Sequence, residues 1–187
     1  MKQLHHQIQR KRIHNSLIRE RINFCNVISD YLPMQTVKDI NEFPRLLTLA
    51  MELLLVSCDD NEADVRLVAG ESINKIMKAF LDSNIGRIQV ELYKEIKKNG
   101  SSRSLRAAMQ RFGDTSHLIR AHKRRPYVAN LLPCIVKIAK RNDDSIQENL
   151  GTLLSKVIPV LGPFMTEADV KQARRKLFIS GTANEEI

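Results

Sequence analysis

Slid along itself by about 40 residues, the chain brings three helical patterns into register. Val65-Arg66, Leu105-Arg106 and Ile146-Gln147 align at spacings of 40 and 41 residues, and four positions on the same register gives Ala69, Met109 and Leu150. Each of these segments follows an apolar stretch and a polar turn. The repeating unit is therefore an apolar helix, a turn and an amphipathic helix. Such a pair cannot bury its apolar faces alone, and stacking on its neighbours makes one continuous core. The fold class predicted is all-α: a solenoid of about three to four stacked antiparallel helix pairs. No stretch shows the period-2 alternation of a strand.

A period near 40 with two helices per unit is the signature of HEAT repeats. The expected organisation is a basic arm over residues 1–14, poorly ordered or a frayed extension of the next helix, followed by a single solenoid segment over 15–187. Within it a leading helix and connector occupy 15–42. Repeats follow over 43–82, 83–122 and 123–163, with an incomplete last repeat over 164–187. The leading helix carries the stripe Leu17, Ile18, Ile22, Cys25, Ile28 and Leu32 and is expected to stop at Pro33. Asn61 with Asp64, Ser145 with Glu148, and Thr166 with Asp169 stand at capping-box spacing. Arg125-Pro126 is expected to open a helix, Pro133 to kink it, and Gly113 to weaken the helix before it. The last helix, about 166–180, has no partner within the chain. One more step of 41 from Ile146 lands on Ile187, the final residue. The chain thus reads as a piece of a longer solenoid, or one that borrows a partner there.

Several function classes are excluded at this level. The most apolar stretch, Leu46 to Val56, is interrupted by Glu52 and falls short of the roughly 18 to 20 residues of a membrane span, so no transmembrane segment is expected. The three cysteines, Cys25, Cys58 and Cys134, form no CxxC motif and fit reduced thiols; Cys25 and Cys134 read as buried small apolar groups. There is no glycine-rich phosphate loop, no GxSxG, no HExxH and no EF-hand loop. His5, His6 and His14 lack fixed ligand spacing, and Asp59-Asp60 is explained by helix capping. No catalytic residue, cofactor or metal is expected, and the chain reads as non-enzymatic.

The formal charge is +9, and it is unevenly placed. Residues 1–21 are net +5 and residues 101–141 net +9, while 22–100 and 142–187 are net −3 and −2. The densest cluster, Arg120, Lys123, Arg124 and Arg125, is expected in a loop between two repeats. It makes one edge a candidate surface for an acidic protein partner. A HEAT-type nucleic-acid-binding module using that edge is the alternative, disfavoured by the lack of interleaved aromatics. A third reading, a membrane-surface segment in residues 1–22, rests on Leu4, Ile8 and the basic run there. Asp60 precedes Arg66 by six residues in the turn of the first repeat, where such a pair can bond backbone and neighbouring repeats. The later repeats carry Gly100 before Arg106 and Arg141 before Gln147 instead.

The run Glu91-Leu92-Tyr93-Lys94-Glu95-Ile96-Lys97-Lys98-Asn99-Gly100, followed by Arg103-Ser104-Leu105-Arg106-Ala107-Ala108, resembles the N-terminal HEAT region of the huntingtin family. So do Ala50-Met51-Glu52-Leu53, Asp64-Val65-Arg66 and Asn130-Leu131-Leu132-Pro133-Cys134. The resemblance runs from about Arg21 to Ile158 without large gaps, and more weakly to the end. It implies part of a very large non-enzymatic scaffold acting in vesicle transport along microtubules and in autophagy. It also implies a cytoplasmic location with some nuclear presence. The implied partners are motor adaptors, trafficking proteins and a forty-kilodalton huntingtin-associated protein held between HEAT domains. Residues 1–14 do not match the family's amphipathic leader, and there is no polyglutamine tract or proline-rich segment. Gly70 stands where better-known relatives carry an acid. These departures imply a divergent, invertebrate relative or a partial chain of one.

Overall fold

The computed structural model describes the backbone of residues 2–34 and 42–178 and the side chains of 16–34 and 42–177. Among these residues there are eight α-helices and no strand: α1 (Lys2–Met34), α2 (Glu42–Ser57), α3 (Ala63–Ala79), α4 (Ile85–Lys98), α5 (Ser102–Thr115), α6 (Ala121–Ala139), α7 (Asp144–Leu161) and α8 (Glu167–Phe178). Short 3-10 turns at Ser116–Leu118 and Gly162–Phe164 end the second and third pairs. The chain divides into two compact units, residues 1–84 and 85–187.

In the first unit, α1 lies chiefly along α3, and α2 packs on both. The 3.6-residue stripe of α3 is the reason: Val65, Ala69, Ile73 and Ile76 are fully buried. α2 turns Leu47, Ala50, Met51, Leu54 and Leu55 inward. Phe43 and Phe80 close the end of this pair with ring centroids 5.2 Å apart. The inner face of α1 contributes Cys25, Ser29 and Leu32, all buried. The helix expected from Ser16 begins at Lys2, so the backbone of residues 2–14 continues it. The side chains of that arm, His5, His6 and His14 among them, lie outside the described residues, as does the connector over 35–41. Pro33 sits in the last turn of α1.

In the second unit the first helices of successive pairs, α4, α6 and α8, form one layer, while α5 and α7 form the other. Ile88, Leu92 and Ile96 of α4 meet Leu105, Ala108, Met109 and Phe112 of α5, every one fully buried. At about 1.5–3 kcal/mol for each fully buried large apolar side chain, this seam dominates the stability of the pair. Tyr127 of α6 stands edge-on to Phe112 at 5.4 Å and to Tyr93 at 6.1 Å. Burial pushes its phenol up to about 12, so it stays protonated at neutral pH. α5 runs on through Gly113, which permits close approach to α7. A Cβ there would stand 3.3 Å from the Lys156 side chain and 3.7 Å from the Leu153 Cα.

Three helix starts differ from the sequence expectation, and only one of them has a side-chain cap. α7 is capped by Asp143, not Ser145: its carboxylate accepts from the Ile146 N–H. α3 begins after Glu62, whose side chain makes no cap bond. The Asp60 carboxylate receives the Glu62 N–H instead, at 2.9 Å. α6 starts at Ala121, five residues before Pro126, and continues through Pro126 and Pro133. The third box forms as expected: Asp169 accepts from the Thr166 N–H at 2.7 Å, and Thr166 Oγ1 accepts from the Asp169 N–H. Cys25, Cys58 and Cys134 are all buried, and none of them forms a disulfide. No helix among the described residues is long and apolar enough to cross a membrane.

Candidate interaction surface

The repeat turns are built from side chains that reach about one period along the chain. In the first unit the Arg21 guanidinium of α1 binds the Asp60 carboxylate, with Nε 2.9 Å from Oδ2. Arg66 Nη1 donates to the carbonyls of Asp60 and Asn61 at 2.7 and 2.8 Å. Asp60 and Arg66 therefore do not pair with each other. The acid ties the turn to α1, and the base seals the turn's own carbonyls.

In the second unit Arg141 Nη1 donates to the Asn99 carbonyl, to Asn99 Oδ1 and to the Gly100 carbonyl, at 3.3, 3.1 and 2.8 Å. Its Nη2 donates to Ser102 Oγ at 3.0 Å. Ser102 in turn donates to the Asp143 carboxylate, holding it below its ordinary value together with the Ile146 N–H and the Ser145 hydroxyl. Asn99 is the one described non-glycine residue with positive φ, at 50°. It forms the left-handed exit of α4, which turns its carbonyl within reach of Arg141. Gln147 stands in the register of Arg66, and its amide donates to the Arg141 carbonyl six residues back at 2.7 Å. A neutral amide thus does the work of the guanidinium. Arg106, the third member of that register, reaches Ser145 Oγ at 3.1 Å in the next pair.

The basic cluster is not a loop. Arg120 is the N-cap of α6, and Lys123, Arg124 and Arg125 occupy its first turns. Cations at a helix N-terminus oppose the macrodipole, which calls for compensation. Two of the four receive it. Arg124 Nε donates to the Ile119 carbonyl at 3.1 Å, and its guanidinium lies 5.6 Å over the Phe164 ring. Arg125 donates to Asp169 at 2.5 Å and to the Phe164 carbonyl at 3.3 Å. Arg120 and Lys123 are exposed, with no side-chain partner among the described residues. The candidate edge therefore narrows to these two, with Arg124 and Arg125 structural. Asp169 and Phe164 were invisible as members of this cluster because they lie some 40 residues away in sequence.

The Arg125 guanidinium, with the Thr166 N–H and hydroxyl, holds the Asp169 carboxyl down at about 2. A lowered native value stabilises the fold above the ordinary carboxylate value of 3.8, and that contribution is lost as pH falls through about 2. Arg125→Ala is expected to move the Asp169 titration, followed by carboxyl NMR, back toward the ordinary range. The return should be partial, because the Thr166 bonds remain. Added salt should act in the same direction on the parent chain, since the pair is partly exposed.

Stacked antiparallel helix pairs joined by such rungs define an α-helical repeat protein of the HEAT kind, whose chemistry lies in its surfaces. Among the described residues no group of His, Cys, Asp and Glu is placed to hold a metal ion. Residues 54–185 match the family described as "Huntingtin, N-terminal HEAT 1", and the chain belongs to that family. It is 48% identical over 153 residues, 82% of its length, to Huntingtin of Takifugu rubripes. It is 35% identical over 82 residues, 44% of its length, to the HD protein homolog of Dictyostelium discoideum. The chain spans about 5% and 3% of those two relatives.

Proposed function

We propose that this chain is a non-catalytic scaffold segment that presents repeat edges to other proteins in microtubule-based vesicle transport, trafficking and autophagy. The observation that carries the reading is the match to the huntingtin N-terminal HEAT family over most of the chain. The rungs support it: they tie successive turns together, while Arg120 and Lys123 stay exposed at the start of α6. Motor adaptors, trafficking proteins and a forty-kilodalton associated protein are the proposed partners, and the cytoplasm, with some nuclear presence, the proposed location. Arg120 and Lys123 are the proposed contacts for an acidic partner surface.

Affinity purification from cells with the 187-residue chain as bait tests this. Trafficking, motor-adaptor or autophagy proteins should be recovered, and Arg120→Glu with Lys123→Glu should deplete the acidic ones. Recovery of nucleic-acid machinery alone, with steeply salt-dependent binding to duplex DNA lost in the same variant, would overturn it.

A further inference from the structure

The outer face of α1 carries a second apolar seam, separate from the one buried against α3. Leu17, Phe24, Val27, Tyr31 and Met34 are between 46% and 74% exposed. With Glu20 they fall on two rows seven residues apart, 17, 24, 31 and 20, 27, 34. That is the a and d spacing by which one helix packs lengthwise on another. The buried face of the same helix uses other positions: Cys25, Ser29 and Leu32 point inward. A helix buried on one side with an exposed heptad seam on the other is built to take one more helix.

We propose that the occupant is a second copy of this chain, with two α1 helices packed antiparallel about a two-fold axis between Cys25 and Asn26. In an antiparallel pair each a position faces a d position of the partner helix. About this axis Leu17 faces Met34, Phe24 faces Val27, and Glu20 faces Tyr31. The aromatic Phe24 meets the smaller Val27. The one charged seam residue meets the one seam hydroxyl, and the phenol donates to the carboxylate. A parallel pair would instead set Glu20 on Glu20 and Phe24 on Phe24, with like charges opposed. The antiparallel contact is isologous, so it closes as a dimer and does not propagate. The five apolar side chains expose on the order of 500 Å² in each copy. The pair would bury about 1,000 Å², the lower bound of specific interfaces, which makes the association reversible.

Sedimentation velocity of the 187-residue chain over a concentration series is the test. A reversible monomer–dimer equilibrium is expected, with Phe24→Glu raising Kd at least about tenfold while the helical circular dichroism is unchanged. Val27→Lys should do the same and serves as the second variant. Register is read by oxidation: Leu17→Cys mixed with Met34→Cys should give a disulfide-linked heterodimer, and Leu17→Cys alone should not. A chain that stays monomeric up to about 1 mM would overturn the proposal. So would a dimer indifferent to both seam variants, or a disulfide between two Leu17→Cys chains.

Discussion

Phe112→Ala should lower the unfolding free energy of its unit by about 3–5 kcal/mol. The ring is fully buried on α5, faces the α4 stripe, and packs edge-on against Tyr127 of α6. Its removal opens a cavity where α4, α5 and α6 meet, and also deletes an aromatic pair worth about 0.5–1.5 kcal/mol. Set against a typical domain stability of about 5–15 kcal/mol, the loss approaches the whole margin. Urea unfolding followed by circular dichroism measures it as a lower midpoint at unchanged slope. Phe112→Leu keeps most of the volume and should cost about 1–2 kcal/mol. A loss below about 1 kcal/mol for the alanine variant would mean that the ring does not fill that junction.

Arg141→Ala should cost about 2–3 kcal/mol, through a different mechanism. The guanidinium donates to four acceptors, on Asn99, Gly100 and Ser102, and binds the turn of one pair to that of the next. Hydrogen bonds from charged donors are worth more than neutral ones, but the site is only partly buried, so the four together contribute less than their simple sum. Arg141→Lys should recover less than half, since an ammonium cannot span a fan of acceptors that a planar fork covers. A double-mutant cycle with Ser102→Ala isolates the rung, and a coupling of about 0.5–1 kcal/mol is expected. A coupling of zero would show the two turns to be held by apolar packing alone.

Most of the fold could be read from apolar periodicity. Val65, Ala69, Leu105, Met109, Ile146 and Leu150, which the 40-residue step aligns, are all buried. Helix starts were read less well, because capping is a competition among neighbours that spacing does not rank. Asp143 precedes α7 while Ser145 already lies within its first turn, and it is the Asp143 carboxylate that accepts from the Ile146 N–H. At α6 the proline signal pointed to Arg125-Pro126. The helix instead begins five residues earlier, where Arg124 seals the Ile119 carbonyl. The basic edge was found as composition but not as geometry. Charge counting cannot see that Arg125 is taken by Asp169, 44 residues away, or that Arg124 lies over Phe164. The α1 seam was hidden for a similar reason. The sequence reading put Leu17 in one stripe with Cys25 and Leu32, and only packing against α3 separates the covered face, with Cys25 and Leu32, from the free one, with Leu17.

The long-range rungs have a consequence for how such a chain folds. Arg21 to Asp60, Ser102 to Asp143, Arg141 to Asn99 and Lys156 to Asp114 close loops of 39, 41, 42 and 42 residues. None spans two periods. Loop-closure entropy therefore enters once per added helix pair, at about 3 kcal/mol for a loop near 40 residues before the constant term. That cost does not grow as pairs are added. Mean contact separation relative to chain length falls as the array lengthens, and low relative contact order favours fast, stepwise assembly. Each turn can be completed as soon as the next pair has been synthesised, without waiting for a distant partner.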